Sequence, residues 1–265
     1  MPSTRSFFVF TTISLLLHTS VPAADWPQWR GPNRDGRSAE TNVDLDWTDG
    51  VPELLWRTEG MGKGYSSLAV VDGTIYTTGN TENGQAVIAR RVSDGSEVWT
   101  TAITDKAPKH GFNGARCTPS VTGKHVYVIG SDGQVACLNR AGGEIVWSKS
   151  FTKEWDGKMM SGWGFSESPL VDGDRIICTP GGSDALIVAL NRHTGEEIWA
   201  SAAFESEHGK DGAGYSSVVI SEACGVKQYI TLVGRGVVSV DAADGSILWT
   251  YAAVANKVAN IPTPV

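Results

Sequence analysis

From residue 65 onwards, short runs of alternating apolar and polar residues are separated by turns rich in glycine. One such run is His125–Ile129, which is followed by a Ser-Asp-Gly-Gln turn at 131–134 and a second apolar run at 135–138. Two-residue periodicity interrupted by Asp-Gly or Gly-Gly turns is typical of antiparallel β-hairpins. No segment keeps a helical spacing of apolar residues over three turns, so the pattern predicts an all-β protein.

The hairpins belong to a repeat. Four segments share a small residue, then Arg, Asn or Asp two positions later, Gly six positions later and Trp ten positions later; they are 89–99, 137–147, 189–199 and 239–249. Their tryptophans are 48, 52 and 50 residues apart. A second shared element opens each unit at positions 67, 118, 168 and 217. Each unit therefore holds four short strands, which we label A to D.

Four antiparallel strands repeated around an axis form the blades of a β-propeller. A linear β-solenoid or a sandwich would be the alternative. Solenoid rungs are shorter, however, and a sandwich would not repeat one tryptophan at one period. In the propeller, we expect the strand-D tryptophan to pack on the next blade and the glycine to form the turn between strands C and D. The tryptophans assigned to this contact are Trp56, Trp99, Trp147, Trp199 and Trp249.

The repeat divides the chain into segments. Residues 24–64 precede the blades and contain a predicted ring-closing strand around 53–57, where Leu-Leu-Trp resembles the Ile-Val-Trp that ends at Trp147. Residues 65–265 hold four blades and the first strand of a fifth, because 261–265 resembles 118–121. We therefore expect an incomplete propeller, about four blades of a seven- or eight-bladed ring, as in a truncated copy. A ring closed by two chains is the alternative.

Residues 1–23 are predicted to be a signal peptide. Arg5 is the sole charge, the apolar run spans 7–17, and Val-Pro-Ala at 21–23 offers a small residue for cleavage. The sequence thus predicts export to the periplasm or the extracellular space. No cysteine follows the apolar core, so a lipid anchor is not indicated, and no later apolar run is long enough to span a bilayer.

Charge and composition narrow the function. A net charge of −7 argues against nucleic-acid binding, which requires an excess of Lys and Arg on some face. The 31 glycines and 10 tryptophans fit the turns and blade contacts of the repeat. Cys117, Cys137 and Cys178 lie in apparent strands and are expected to be small buried apolar residues. The histidines do not cluster with them, so no metal site is predicted.

The repeat ending resembles the tryptophan docking motif of the pyrroloquinoline quinone (PQQ) propeller superfamily. Residues 189–199 match it best, through their Ala, Asn, Thr, Gly and Trp. The Asp-Trp-Pro-Gln-Trp-Arg-Gly-Pro-Asn-Arg-Asp-Gly stretch at 25–36 adds a closer likeness to PQQ-like repeat proteins common in planctomycete-type bacteria. Those proteins are described as similar to the outer-membrane assembly scaffold BamB.

This resemblance implies a non-catalytic, exported scaffold that binds an envelope protein, peptide or glycan. The alternative that it implies is a quinoprotein oxidoreductase of the alcohol dehydrogenase type, which holds PQQ with Ca²⁺. Such enzymes use an adjacent Cys-Cys pair and a set of acidic and amide Ca²⁺ ligands. Neither pattern is present in the sequence. We therefore predict no cofactor, no metal ligand and no catalytic residue.

Candidate binding residues fall in two regions. The long connections from strand D to the next strand A emerge on one face of the disc, and loops on a rigid scaffold commonly carry function. The beginnings of the A strands line the central channel, where Arg116 and Glu167 interrupt otherwise neutral positions; their mutual pairing is the alternative to a ligand site. His110 and His208 are expected to be solvated. The candidates are Tyr65, Arg116, Trp155, Trp163, Glu167 and Tyr215.

Overall fold

The structure, a computed structural model, describes residues 24–264 apart from 42, 44, 45 and 49. The predicted signal peptide at 1–23 and the last residue, Val265, lie outside the described residues. The all-β prediction is confirmed, because the described chain forms four sheets of four antiparallel strands each. In every sheet the strands lie side by side in chain order. Four such sheets in succession are the arrangement expected for propeller blades. No helix in the described part of the chain is long and apolar enough to cross a membrane.

We number the blades along the chain. Blade 1 contains β1 (Ala69–Val71), β2 (Thr74–Thr81), β3 (Gly84–Arg91) and β4 (Glu97–Ala102). Blade 2 contains β5 (Ser120–Thr122), β6 (His125–Ile129), β7 (Gln134–Asn139) and β8 (Ile145–Ser150). One short helix, α1 (Phe151–Glu154), follows it.

The second pair of blades repeats this order. Blade 3 contains β9 (Leu170–Asp172), β10 (Arg175–Cys178), β11 (Ile187–Asn191) and β12 (Glu197–Ser201). Blade 4 contains β13 (Val219–Ser221), β14 (Gln228–Val233), β15 (Gly236–Asp241) and β16 (Ile247–Tyr251). A 3-10 turn at Ala223–Gly225 joins β13 to β14.

The small residue of the repeat lies directly opposite the tryptophan. The cross-strand pairs are Ala89 with Trp99, Cys137 with Trp147, Ala189 with Trp199 and Ser239 with Trp249. The register shifts by one residue immediately after each small residue, which is the signature of a β-bulge. All four small residues are fully buried. A larger side chain would compete with the indole for the same space, and this explains the restriction to Ala, Cys and Ser.

Successive blades meet through a tryptophan and a glycine. The ring of Trp99 covers Gly143 of the next blade so closely that a Cβ atom there would lie 2.6 Å from the indole. Gly143 has a φ of +81°, a conformation that favours glycine. The same contact recurs for three further pairs: Trp56 with Gly95, Trp147 with Gly195, and Trp199 with Gly245.

The indole N–H adds a directed contact to three of these pairs. The carbonyl three residues before the glycine accepts it: Val92 from Trp56, Arg140 from Trp99, and Arg192 from Trp147, at 2.8 to 2.9 Å. Between blades 3 and 4 the guanidinium of Arg175 donates to the equivalent carbonyl of Ala242 instead. The buried N–H of Trp199 consequently has no partner among the described residues. Trp249 of blade 4 bonds Gln228 of its own blade and is 43% exposed.

The two predicted additional strands are absent from the described structure. Residues 53–57 have no regular secondary structure, and 261–264 form no strand either. A strand requires a neighbour to which its backbone is hydrogen-bonded, and neither stretch makes backbone hydrogen bonds to another described segment. Both nevertheless occupy the repeat positions that the sequence indicated. Trp56 packs on blade 1, and the Thr263 hydroxyl accepts the N–H of Ser217 at 3.3 Å.

Residues 24–37, which we call the N-terminal segment, cross the inner edges of the blades. Trp26 exchanges two backbone hydrogen bonds of 2.8 Å with Val70 of β1, and the carbonyl of Pro27 accepts the N–H of Val121 in β5 at 2.8 Å. Arg34 reaches blade 3, where it donates to the carbonyls of Ser168 and Pro169 at 2.8 and 3.1 Å. One segment therefore ties three blades together.

Apolar side chains form two buried clusters, one shared by blades 1 to 3 and the other by blades 3 and 4. Cys137 and Cys178 are buried in strands, and Cys117 is buried just before β5. Their predicted burial is confirmed. All four cysteines are free thiols, and Cys224 is exposed.

The contact between tryptophan and glycine leads to a stability prediction. A Gly143→Ala variant should lose about 1–2 kcal/mol from placing Ala at positive φ and about 1–3 kcal/mol more from overpacking against Trp99. Urea unfolding followed by tryptophan fluorescence would measure the midpoint. Gly123→Ala is the matched control, since Gly123 also has positive φ (+56°) but nothing lies within 4 Å of a Cβ there. Equal losses in the two variants would contradict a packing role for this glycine.

Candidate functional site

The beginnings of the A strands surround a cleft along the propeller axis. Five residues border both halves of it: Tyr65, Arg116, Ser166, Tyr215 and Ile261. The half towards the long loops has a volume of about 360 Å³ and adds Phe112 and Trp163 to the lining. The half towards the N-terminal segment has a volume of about 430 Å³ and adds Trp29 and Arg30. We call this space the channel cleft. Its size is typical of small-ligand pockets.

A chain of hydroxyl groups forms the inner wall of the cleft. The N–H groups of Ser67, Thr118, Ser168 and Ser217 each donate to the hydroxyl at the same position of the following repeat, at 3.0 to 3.3 Å; the accepting residues are Thr118, Ser168, Ser217 and Thr263. These bonds fix the spacing of neighbouring A strands. They also explain why Ser or Thr opens every repeat, a function that the sequence alone did not reveal.

Arg116 is held rigidly at the cleft. Its guanidinium donates to the carbonyls of Gly114 and Gly111 at 2.8 and 3.2 Å, and also to that of Phe112. It lies 5.6 Å from the centre of the Tyr65 ring, within the range of a cation–π interaction. The backbone N–H of Tyr65 donates to the carbonyl of Ala115 at 2.7 Å, which fixes the ring beside the arginine.

Aromatic rings from two long loops cover the side of the channel cleft that lies towards those loops. Trp163 lies 5.5 Å from the Tyr215 ring and 6.1 Å from that of Phe112, with the Phe112 contact edge-on. Phe112 is 69% exposed and Tyr65 is 61% exposed, so both present apolar surface to solvent. Exposed aromatic residues grouped on a rigid scaffold are typical of binding surfaces.

The structure brings together four of the six candidates: Tyr65, Arg116, Trp163 and Tyr215. Trp155 is placed elsewhere, against Phe151, with its indole N–H donating to Glu197 of β12 at 2.6 Å. Trp155 therefore does not line this cleft, and its assignment as a partner-binding residue stays a prediction. The loop that carries it folds back on blade 3, because α1 turns the chain immediately after β8.

Glu167 is also turned away from the cleft. Its carboxylate accepts the N–H and the hydroxyl of Thr179, at 2.8 and 3.2 Å, and the side chain is buried. Cys117 makes the equivalent contact in blade 2, accepting the N–H of Ile129 at 3.2 Å. Both acceptors precede their donors by twelve positions, so each satisfies the backbone where strand B ends. Arg116 and Glu167 do not pair.

The buried charge nearest Glu167 is Arg34. Burial lowers the pKa of Arg34 to about 10, and the nearby Glu167 acts in the opposite direction. Burial raises the pKa of Glu167 to about 8, with the Thr179 hydrogen bonds and Arg34 opposing that rise. A carboxyl in this environment is mostly neutral at pH 7.

His110 departs from the solvated position predicted for it. Its ring packs against Gly164, and its Nε2 atom is buried without a partner among the described residues. Burial lowers the pKa of His110, and the charge of Arg116 lowers it further. The ring therefore helps to support the Trp163 loop from beneath.

Trp29, Arg30 and Ile261 are among the lining residues that were not predicted. Trp29 lies beneath two guanidinium groups, those of Arg30 and Arg34, at 5.3 and 5.7 Å from the ring centre. The sequence carried a signal for this, since residues 25–36 are dense in Trp, Arg, Gly and Pro. That density could have pointed to an ordered segment, but only the fold shows that it enters the channel.

The alternative function, a quinoprotein oxidoreductase, would require the site to hold PQQ with Ca²⁺, and the lining residues can be compared with that requirement. The cleft lining offers guanidinium groups, hydroxyls and aromatic rings. Ca²⁺ requires several carboxylate or carbonyl oxygens, and a lining of cations does not fit it. No group of three His, Cys, Asp or Glu side chains that could hold a metal occurs in the part of the chain that the structure describes.

Comparison with known proteins relates the fold to two groups. Residues 83–261, more than half of the chain, match the family described as outer membrane protein assembly factor BamB. BamB of Escherichia coli K12 is 29% identical over 111 residues, which is 39% of this chain and 28% of that protein. The chain thus spans under a third of the curated relatives that it matches.

Solved structures agree on the fold. The crystal structure of BamB from Moraxella catarrhalis has a TM-score of 0.55 at 15% identity, covering 74% of this chain and 54% of that one. Quinohemoprotein alcohol dehydrogenase from Comamonas testosteroni has a TM-score of 0.65 at 18% identity, covering 86% of this chain and 41% of that one. At such identities the likeness concerns the fold alone. The predicted PQQ-like propeller is confirmed.

The buried carboxyl of Glu167 should make stability depend on pH. Its folded-state pKa, about 8, lies above the ordinary value of 4.5, so folding takes up a proton between these values and the free energy of unfolding falls as the pH rises through that range. A Glu167→Gln variant lacks this contribution. Its stability relative to the natural protein should therefore increase from pH 5 to pH 8, by on the order of 1 kcal/mol or more, since one pKa unit corresponds to about 1.4 kcal/mol. Urea titrations at several pH values would measure the difference, and a constant difference would contradict the assignment.

The Arg34 contacts predict how the N-terminal segment is held. Arg34→Lys retains the charge but cannot reach both carbonyls of blade 3 in a forked geometry, so we expect a loss of about 2 kcal/mol and faster cleavage of the segment in limited proteolysis. The exposed Arg37 offers the control variant Arg37→Lys. If the Arg34 variant is cleaved no faster than this control, another contact anchors the segment.

Proposed function

The chain belongs to the family described as outer membrane protein assembly factor BamB, and on that premise we propose that it is an exported, non-catalytic scaffold that binds a protein partner in the cell envelope. The observation that carries this proposal is the family match over 83–261, which covers all or part of each of the four blades. Periplasmic location follows in the proposal from the signal-peptide pattern at 1–23.

The geometry of the long-loop face supports a binding role. Phe112 and Trp163 come from different loops, one between blades 1 and 2 and the other between blades 2 and 3, yet their rings touch edge-on. Rings held in place before a partner arrives lose little side-chain freedom on binding. Aromatic residues of this kind commonly contribute most of the affinity at protein interfaces.

The rigidity of the fold supports the same role. Tryptophan contacts and the hydroxyl chain join the four blades, and the N-terminal segment ties three of them together, so the loops project from a fixed base. The residues of the cleft are cationic, hydroxylic or aromatic, a set suited to recognition. A redox role would draw on a bound quinone and Ca²⁺, whose oxygen ligands this lining does not supply.

Genetic complementation tests the proposal. Deleting the gene in its native bacterium should lower the amounts of assembled outer membrane proteins, measured by quantitative proteomics of the outer membrane. Restoring the natural gene should recover them. The double variant Phe112→Ala with Trp163→Ala should recover only part, because it removes the exposed rings at the cleft. Tyr251→Ala, an exposed aromatic residue on β16, is the matched control and should restore fully.

Two outcomes would count against the scaffold. If the amounts of assembled outer membrane proteins do not change after deletion of the gene, the proposed role in assembly is wrong. Calorimetric titration with PQQ and Ca²⁺ provides the second test, together with a dye-coupled assay of alcohol oxidation. Saturable PQQ binding with turnover would replace the scaffold by the oxidoreductase.

A further inference from the structure

The channel cleft carries a charge opposite to that of the whole protein. The chain has a net charge of −7, yet the only charged residues lining the cleft within the described structure are Arg30 and Arg116. Glu167 follows the lining residue Ser166 in sequence, but its carboxyl is buried against Thr179. The two guanidinium groups therefore face the cleft without an opposing carboxylate, and an anion entering the cleft would meet a favourable potential.

The hydroxyl wall adds hydrogen-bond donors. Thr118, Ser168 and Ser217 each accept one backbone N–H. The Ser168 hydroxyl is also hydrogen-bonded to the side chain of Cys117, whereas the hydroxyls of Thr118 and Ser217 have no acceptor among the described residues. A hydroxyl can donate one bond while it accepts others. Thr118 and Ser217 line the cleft at its inner wall, where they are only 1% and 4% exposed, and each can turn its hydroxyl hydrogen towards a ligand that reaches this wall. Free donors beside fixed cations are suited to a carboxylate, which accepts hydrogen bonds at both oxygens.

Beyond the hydroxyl wall, the inner edges of the A strands are available for backbone pairing, and two of them bind the N-terminal segment. On β1 and β5, the backbone N–H groups of Val70 and Val121 donate to the N-terminal segment. Val171 of β9 and Ile220 of β13 occupy the same positions in blades 3 and 4. No backbone hydrogen bond from their N–H groups to a segment in the channel occurs in the described part of the chain. The edge that is covered in blades 1 and 2 is thus free in blades 3 and 4.

Ile220 of β13 lies three residues after Ser217 and is 40% exposed. An extended peptide paired with this edge would pass the free hydroxyls and reach the aromatic rings of Trp163 and Tyr215. Addition of a strand to an exposed edge is a common mode of peptide recognition, in which backbone bonds give affinity and side-chain pockets give specificity. The N-terminal segment shows that this channel accepts a chain in that way.

Building on the proposed function, we propose that the channel cleft recognises an acidic side chain of an extended polypeptide partner. Its carboxylate lies between Arg116 and the hydroxyls of the inner wall, and a neighbouring aromatic or aliphatic side chain packs on Trp163 and Tyr215. The peptide backbone pairs with the free inner edge of blade 4. The fixed guanidinium of Arg116, already bonded to three carbonyls, gives the site its selectivity for acid over amide.

Paired peptides test this on the natural protein. A short fluorescein-labelled peptide with Asp beside Tyr is compared by fluorescence anisotropy with the twin that carries Asn in place of Asp. We expect the acidic peptide to bind about tenfold more tightly, equivalent to about 1.4 kcal/mol. The preference should shrink as NaCl is raised from low concentration to about 0.5 M, because salt screens partly exposed charges.

Variants locate the site. Arg116→Gln should abolish the preference for Asp over Asn, and Lys124→Gln, which removes an exposed charge on the turn between β5 and β6, should retain it. Because Arg116 also holds its own loop, Arg30→Gln provides a second test from the other side of the cleft, and circular dichroism checks that each variant is folded. We expect the Arg30 variant to reduce the preference at least threefold.

Each other outcome overturns a defined part of the proposal. Equal affinity for the two peptides, or a preference that persists in both arginine variants, removes the carboxylate site. Sodium benzoate that binds as tightly as the acidic peptide assigns the site to a small carboxylate and overturns the polypeptide. Loss of complementation in the Phe112 and Trp163 double variant without any acid preference overturns this inference alone. An acid preference combined with an unaffected deletion strain overturns the proposed function and leaves the peptide site.

Discussion

The architecture depends on one contact between blades, an indole ring laid over a glycine. A sheet of four short strands cannot bury both faces by itself, so each blade is stable only against its neighbours. The tryptophan supplies a large flat surface, and the glycine lets that surface approach the backbone of the next blade. The small residue opposite each tryptophan, and the bulge that follows it, belong to the same arrangement. Glycine, tryptophan and the small residue therefore recur together.

Two further systems set the inner side of the molecule. Hydroxyls link the first residues of successive A strands, and the N-terminal segment crosses three blades beneath them. Together they convert the inner strand ends into a cleft with a defined floor. The aromatic loops then rest on a base that does not need to reorganise. The rigid beginnings of the A strands therefore hold the binding residues of these loops in place before a partner arrives.

Much of the cleft could be predicted from the sequence, because residues that align in the repeats lie at the same level along the channel. Tyr65, Arg116 and Tyr215 were found in this way, since the channel is lined by one position of each repeat. Glu167 was misjudged because neighbouring residues of an extended strand point in opposite directions, and alignment to the nearest residue does not resolve which one faces the channel. The position of Trp155 outside the cleft could not be predicted, because a long loop has no period to follow.

The sequence by itself determined the number of described blades, their strand order and the residues that join them, since these follow from local periodicity and from a pattern repeated about every 50 residues. Only the tertiary structure decided what lies inside. The orientation of Glu167 away from Arg116 follows from its contact with Thr179, twelve positions away. The burial of Arg34 and the meeting of Trp163 with Tyr215 depend on contacts between residues far apart in the chain. Such contacts leave no periodic trace, because each is made once, between parts of the molecule that only folding brings together.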